Sequence, residues 1–283
     1  MVTINTSLTH QPTSIITHTV GVAPGSADIV DSTTTTATIE SEPHLSGQAK
    51  MLSTLYASAS DYVKSEHLQA YSGSVNGNIT AGAYINVEKY NEYLFDKAAT
   101  AMVAAAKDNG IALDKSDVLA QLKNDNADIA GIKMDDQDRK AKLGPDNIYA
   151  DLSTSDLDRL TDTYITAKEN GLNIDEVEGL ALRKGVQNHY GSTLQAGDIY
   201  PYDWDYSETD PDKIAAAKNQ LPDAITSKAD EIKSTIQGDL GLGSDFIAFL
   251  LNPKTGLRGA TDASLDFLSK LSTLYNQQRQ TDA

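Results

Sequence analysis

From Leu45 onward the apolar residues of this chain recur every three or four positions, and they almost never alternate. A spacing of 3.6 puts such residues on one stripe of a helix, whereas a half-buried strand needs a spacing of two. The pattern predicts an all-α fold of antiparallel helix pairs or a bundle. It is clearest where Tyr84, Val87, Asn91, Leu94, Ala98, Ala101 and Ala105 step by three and four, with Phe95 and Met102 broadening the stripe. Lys107 falls in the last turn of that helix, and Gly110 stands where a left-handed residue ends one.

Before it, Ser46 can cap a helix carrying Leu52, Leu55, Ala59, Tyr62 and Val63 on one face. After it, a short helix opens at Leu113-Asp114 and runs through Leu122. The acidic stretch 124–138 reads as irregular, and Gly144-Pro145 is a firm stop. Ser153 to Asp156 offers a capping box for a helix with Leu157, Leu160, Tyr164 and Ala167 inward. That helix ends at Asn170-Gly171, and the next spans about Ile174 to His189. Further helices are expected at Asp212–Asn219, Asp223–Ile236, Ser244–Leu251 and Asp262–Gln278, with room for a small β element near 190–206. Gly241 and Gly243 suit a turn leading into the apolar helix that holds Phe246, Phe249 and Leu250. Leu-Ser-Thr-Leu-Tyr occurs at 52–56 and again at 271–275, so the terminal helices could pack together or present similar faces.

Residues 1–44 are of another kind. They hold no Lys or Arg, 16 of the 44 are Ser or Thr, and Pro12, Pro24 and Pro43 interrupt them. Too little apolar surface is present there to offset chain entropy, so a disordered leader is expected, with a helical domain over 45–283. Gly144-Pro145 and 191–211 are the two places where that domain could divide. The leader lacks the basic start and apolar core of a secretory signal. No run approaches the ~18 apolar residues of a membrane span.

Charge excludes other classes. Forty acids against 23 bases give a net charge of -17, which disfavours a nucleic-acid backbone or an anionic membrane as partner. With no cysteine there is no disulfide framework, zinc ribbon or thiol nucleophile. Walker A, Gly-x-Gly-x-x-Gly, Gly-x-Ser-x-Gly and His-Glu-x-x-His patterns are all missing, so no cofactor is expected.

Two local features carry chemistry. Residues 106–120 align with 167–181 at an offset of 61, with seven of fifteen positions identical, each copy reading as helix end, Gly turn, apolar residue, Asp N-cap and second helix. The copies resemble the second half of an EF-hand loop, but Ala106 and Ala167 stand where the first calcium ligand belongs, so they are expected to be calcium-silent. The other feature is 198–212, with six acids and no base, through which Tyr200, Tyr202, Trp204 and Tyr206 alternate. In an extended segment the four rings share one face, as anchors of a core or of a partner surface. Asp203, Asp205, Asp210 and Asp212 could gather around a hard cation, though no known loop spacing supports it. His189, close by in sequence, could serve as a general base with an Asp to orient it.

Taken together, a base-free Ser/Thr-rich leader and an acidic, cysteine-free helical body are similar in composition to substrates of type III and flagellar export. That resemblance implies a non-enzymatic, secreted bacterial interaction protein with an uncleaved leader, possessing a protein partner and an export chaperone. The alternatives are a cytosolic regulatory helical module with degenerate EF-hand-like pairs, and an enzyme centred on His189 and the 198–212 acids.

Overall fold

A computed structural model of the chain describes residues 47–71, 80–191, 209–213, 223–236, 240–252 and 262–281. The chain divides into two units, Met1–His44 and Leu45–Ala283, and every described residue lies in the second. Expectations for the leader, for most of the 190–206 segment and for the helix beyond residue 213 lie outside the described residues. Within those residues the fold is all-α, without a strand. No helix among them is long and apolar enough to cross a membrane.

Two long helices, α1 (Gly47–Tyr71) and α2 (Val87–Asp108), pack against each other, joined on the α2 side by a short 3-10 turn at Ala81–Ala83. Tyr84 closes that turn instead of opening α2, because Asn86 takes the N-cap and its side chain accepts from the Lys89 amide at 3.2 Å. Asn91, a polar residue within the apolar stripe, is buried, so both ends of its amide need partners. Its Nδ2 donates to the Ile129 carbonyl at 3.2 Å, and its Oδ1 lies 2.9 Å from His67 Nδ1.

Beyond α2 come α3 (Lys115–Asp125), the single turn α4 (Ala127–Ala130) and α5 (Asp136–Leu143). Of the stretch 124–138, expected to be irregular, 131–135 is non-helical, whereas α3 runs to Asp125, α4 covers Ala127–Ala130 and α5 starts at Asp136. Helix α5 has no buried apolar residue, so no apolar period announces it. Local polar chemistry forms it instead: Asp135 caps the Asp138 amide, and Asp136 pairs with Arg139 and Lys140 at 2.8 Å each. Arg139 then reaches past the Gly144 stop to the carbonyls of Tyr149 (2.7 Å) and Leu152 (2.8 Å).

A second 3-10 turn (Ile148–Asp151) leads into α6 (Thr154–Glu169) and α7 (Asp175–Tyr190). The expected capping box is present, with Ser153 and Asp156 bonded reciprocally, and Leu157, Leu160, Tyr164 and Ala167 are all buried. Both α2 and α6 end in the same hydrogen-bond pattern, Ile111 N–H to Ala106 O (2.9 Å) and Leu172 N–H to Ala167 O (2.8 Å). This closure requires a left-handed residue, supplied by Gly110 (φ 75°) and Gly171 (φ 65°). The helix starts that follow differ. Asp114 caps α3 through the amides of Ser116 and Asp117, whereas Asp175 lies inside α7 and caps nothing. In the second copy Asn173 holds the Asp175 amide at 3.2 Å, and the first copy has Ala112 at that position.

The last described elements are α8 (Asp223–Thr235), α9 (Ser244–Leu250) and α10 (Asp262–Thr281). A turn with positive φ at Leu240, Gly241 and Gly243 leads into α9, which buries Phe246, Ile247 and Leu250. The two Leu-Ser-Thr-Leu-Tyr segments have different surroundings. Helix α1 packs chiefly on α2, α3 and the first 3-10 turn, and α10 on α8 and α7.

Helix α2 organises this packing through charges on two edges. Glu88, Glu92 and Asp96 step by four along it and take Lys133 (2.5 Å), Lys123 (2.6 Å) and Lys115 (2.7 Å) in reverse chain order. Facing α6, Lys89 pairs with Asp162 at 2.6 Å and Lys97 with Glu169 at 3.4 Å. Exposed pairs contribute little individually, ~0.2–1 kcal/mol, but a ladder of them sets register.

Among the described glycines, Gly185 has the closest approach to neighbouring backbone, where α7 crosses the second 3-10 turn. A Cβ there would overlap the Ile148 carbonyl oxygen. Gly185→Ala is expected to destabilise the chain by roughly 1–3 kcal/mol, measured by urea unfolding; a loss no larger than that of an exposed α7 substitution would show that the contact relaxes freely.

Candidate functional site

Between α1 and α2 runs a groove of about 330 Å³, walled by Leu55, Ala59, Tyr62, Ala98, Met102 and Ala105 among others. It forms because the two helices meet as unlike surfaces along their length. At one end the side chains are large: Tyr90 is fully buried, with its ring centroid 6.3 Å from Tyr71, 5.8 Å from Tyr93 and 5.5 Å from Tyr164. Toward the other end α2 offers Ala98, Ala101 and Ala105, whose single methyls cannot fill the same gap. Ala101, expected inside, is exposed for this reason, and the buried positions there are Met102 and Ala106.

The groove is apolar, with Lys97 at one end. Its ammonium donates to the Tyr93 hydroxyl at 2.9 Å and lies 3.4 Å from Glu169, which ties this end of the groove to α6.

A second cluster surrounds the start of α6 and the end of α7. Asp156 Oδ2 accepts from the Ser153 amide (3.0 Å), the Ser153 hydroxyl (2.7 Å) and Asn188 Nδ2 (2.9 Å), and Lys184 Nζ lies 3.6 Å from Oδ1. Burial pushes this carboxyl up, but the bonds from Ser153 and Asn188, with the Lys184 charge, outweigh it and hold the group below the usual range. Lys184 also sits 5.4 Å over the Phe246 ring, tying α9 to α7. Asn188 reaches the Asp151 carbonyl at 2.9 Å as well.

His189 lies at the edge of this cluster, Nδ1 2.9 Å from Asp151 Oδ2 and its ring edge-on to Tyr190 at 4.6 Å. A carboxylate that orients an imidazole is one half of a general-base arrangement. The side chains are 48% and 37% exposed, however, so solvent screens the pair, and the neighbouring Ser153 hydroxyl is occupied by the capping box. The 198–212 acids that would complete an enzyme here are mostly outside the described residues.

The same holds for Tyr200, Tyr202, Trp204, Tyr206, Asp203 and Asp205. Asp210 and Asp212 are described, both exposed, with the Asp212 amide donating to Asp210 Oδ1 at 2.9 Å, an interaction that starts a helical turn. Among the described residues no three His, Asp or Glu side chains gather as a metal site would require. Of the two acids that follow the EF-hand-like turns, Asp117 is exposed in the first turn of α3, and Glu178 Oε1 accepts from the Tyr149 hydroxyl at 3.3 Å.

The surroundings of Glu178 oppose its charge. Burial raises its pKa, the Tyr149 bond opposes this less strongly, and the Asp175 charge adds to the rise. A pKa raised on folding means stability that is full below the unfolded value and lost as pH climbs through the folded one. Glu178→Gln, which cannot ionise, is therefore expected to raise Tm at pH 7, with the advantage gone by about pH 4; an equal effect at both pH values would mean that charge is not its cause. Compared with models of protein families, with curated proteins and with solved structures, the chain finds no match.

Proposed function

We propose that this chain is a non-enzymatic bacterial interaction protein, exported by a type III-like system with its N-terminal leader uncleaved. The observation that carries this reading is the change at residue 44. A base-free segment with 16 Ser or Thr in 44 residues precedes the unit Leu45–Ala283, whose described residues are mostly helical. A base-free segment rich in small polar residues has the composition of an export leader.

The helical unit supports the same reading. Its ladders of exposed ion pairs and its Ala-rich helices suit a fold of modest stability, which a narrow channel can unfold. Its groove is lined mainly by apolar side chains, as the centre of a protein-partner surface is. Outside the cell, or in a host, that partner would be the target; before export it would be a chaperone.

The test is a fusion of residues 1–44 to a reporter enzyme, expressed in a bacterium with an export apparatus and in the same strain lacking it. Reporter activity outside the cell is expected only with the apparatus. Equal activity outside the cell in both strains sinks the export reading and leaves a cytoplasmic helical module.

A further inference from the structure

Along α1, residues Met51 to Ser60 form a run of ten without a charge, in a chain of net charge -17. The facing stretch of α2, Ala98 to Ala106, has none either. A helix face kept in solvent ordinarily carries charged side chains. Here Thr54 and Ala57 are exposed and small, on the side of α1 turned away from the groove residues Leu55, Ala59 and Tyr62. Small side chains let a second helix approach closely.

At the two ends of the run on α1 stand a cation and an anion, Lys50 and Asp61. They are eleven residues apart, about three helical turns, and so lie on one face. Both are exposed, and neither forms an ion pair with another described residue.

We propose that this face is a self-association surface, on which a second copy of the chain packs its own α1 antiparallel across a two-fold axis between Thr54 and Ala57. In that register Lys50 meets the partner's Asp61, Asp61 meets the partner's Lys50, and Thr54 lies opposite the partner's Ala57. A two-fold contact needs a surface complementary to itself, and a neutral, small-residue centre with opposite charges at its ends has that property. It is also a surface through which two chains of -17 can approach without stacking like charges. The proposal goes beyond the export reading and does not rest on it.

Sedimentation velocity of the full chain tests this. A reversible monomer–dimer equilibrium is expected. Lys50→Glu or Asp61→Lys alone turns both reciprocal pairs repulsive and is expected to weaken the dimer about tenfold. The Lys50→Glu/Asp61→Lys double variant restores the pairs with reversed sign and should return to the wild-type equilibrium. Circular dichroism should be unchanged in all three, since both side chains are exposed; Ala57→Arg, which blocks the seam sterically, should leave a monomer. A chain that remains monomeric, a dimer indifferent to the single swaps, or a double variant that is not restored each overturns the proposal. An exported but monomeric chain would overturn this proposal alone, and a dimer whose leader directs no export would overturn only the export reading.

Discussion

Tyr90 is the residue on which the rest of the packing depends. A tyrosine ring buried at the junction of three helices must still find a partner for its hydroxyl. The chain supplies a Glu66–Lys168 ion pair, with Tyr90 Oη 3.5 Å from Glu66 Oε2 and 3.3 Å from Lys168 Nζ. Glu66 comes from α1, Tyr90 from α2 and Lys168 from α6, so one polar contact pins three helices in register. Burial drives the phenol pKa of Tyr90 upward and keeps the group neutral. Such a cluster adds little net stability, because each charge loses water, but removing one member strands the others. Its main effect is to exclude other ways of packing these helices.

That pin also explains the groove. His67 against Asn91 and Glu66 against Tyr90 show that the C-terminal half of α1 lies on the N-terminal half of α2, so the helices run antiparallel. Aromatic bulk holds that end at its full spacing. At the other end the alanines of α2 stand opposite Leu55 and Ala59, and the helices cannot close without disturbing Tyr90. The groove is thus a consequence of joining a large-residue contact to a small-residue one along two stiff rods.

Where structure depends on neighbours in the chain, it was legible in the sequence. The stops at Gly110 and Gly171, the capping box at Ser153 and the inward stripe of α6 all rest on residues within one or two turns of each other. What required distant partners was not legible. Helix α5 has no apolar period, and its anchor, Arg139, binds carbonyls ten and thirteen residues away. Asp175 looks like a cap by analogy with Asp114, yet the presence of Asn173 moves that job upstream. Gly185 is required by the Ile148 carbonyl, which no local rule connects to it. For the site, the acidic aromatic segment drew attention because its composition is unusual, whereas the α1–α2 groove is made of ordinary residues. Its signal was present all the same, in the spacing of Ala98, Ala101 and Ala105 beside the charge-free run Met51 to Ser60 of α1.

Charge placement gives that signal its meaning. Helix α2 commits five of its charged residues to neighbouring elements, acids toward Lys115, Lys123 and Lys133, bases toward α6. The chain therefore has charge to spend at exposed helix edges, and it uses charge there even where each pair contributes only ~0.2–1 kcal/mol. A ten-residue neutral run on α1, next to a nine-residue neutral run on α2, breaks that habit in one place. Solubility does not require the exception, since a net charge of -17 already keeps copies apart at long range. What a local absence of charge does accomplish is to lower the cost of removing a surface from water, and that matters only where another surface arrives.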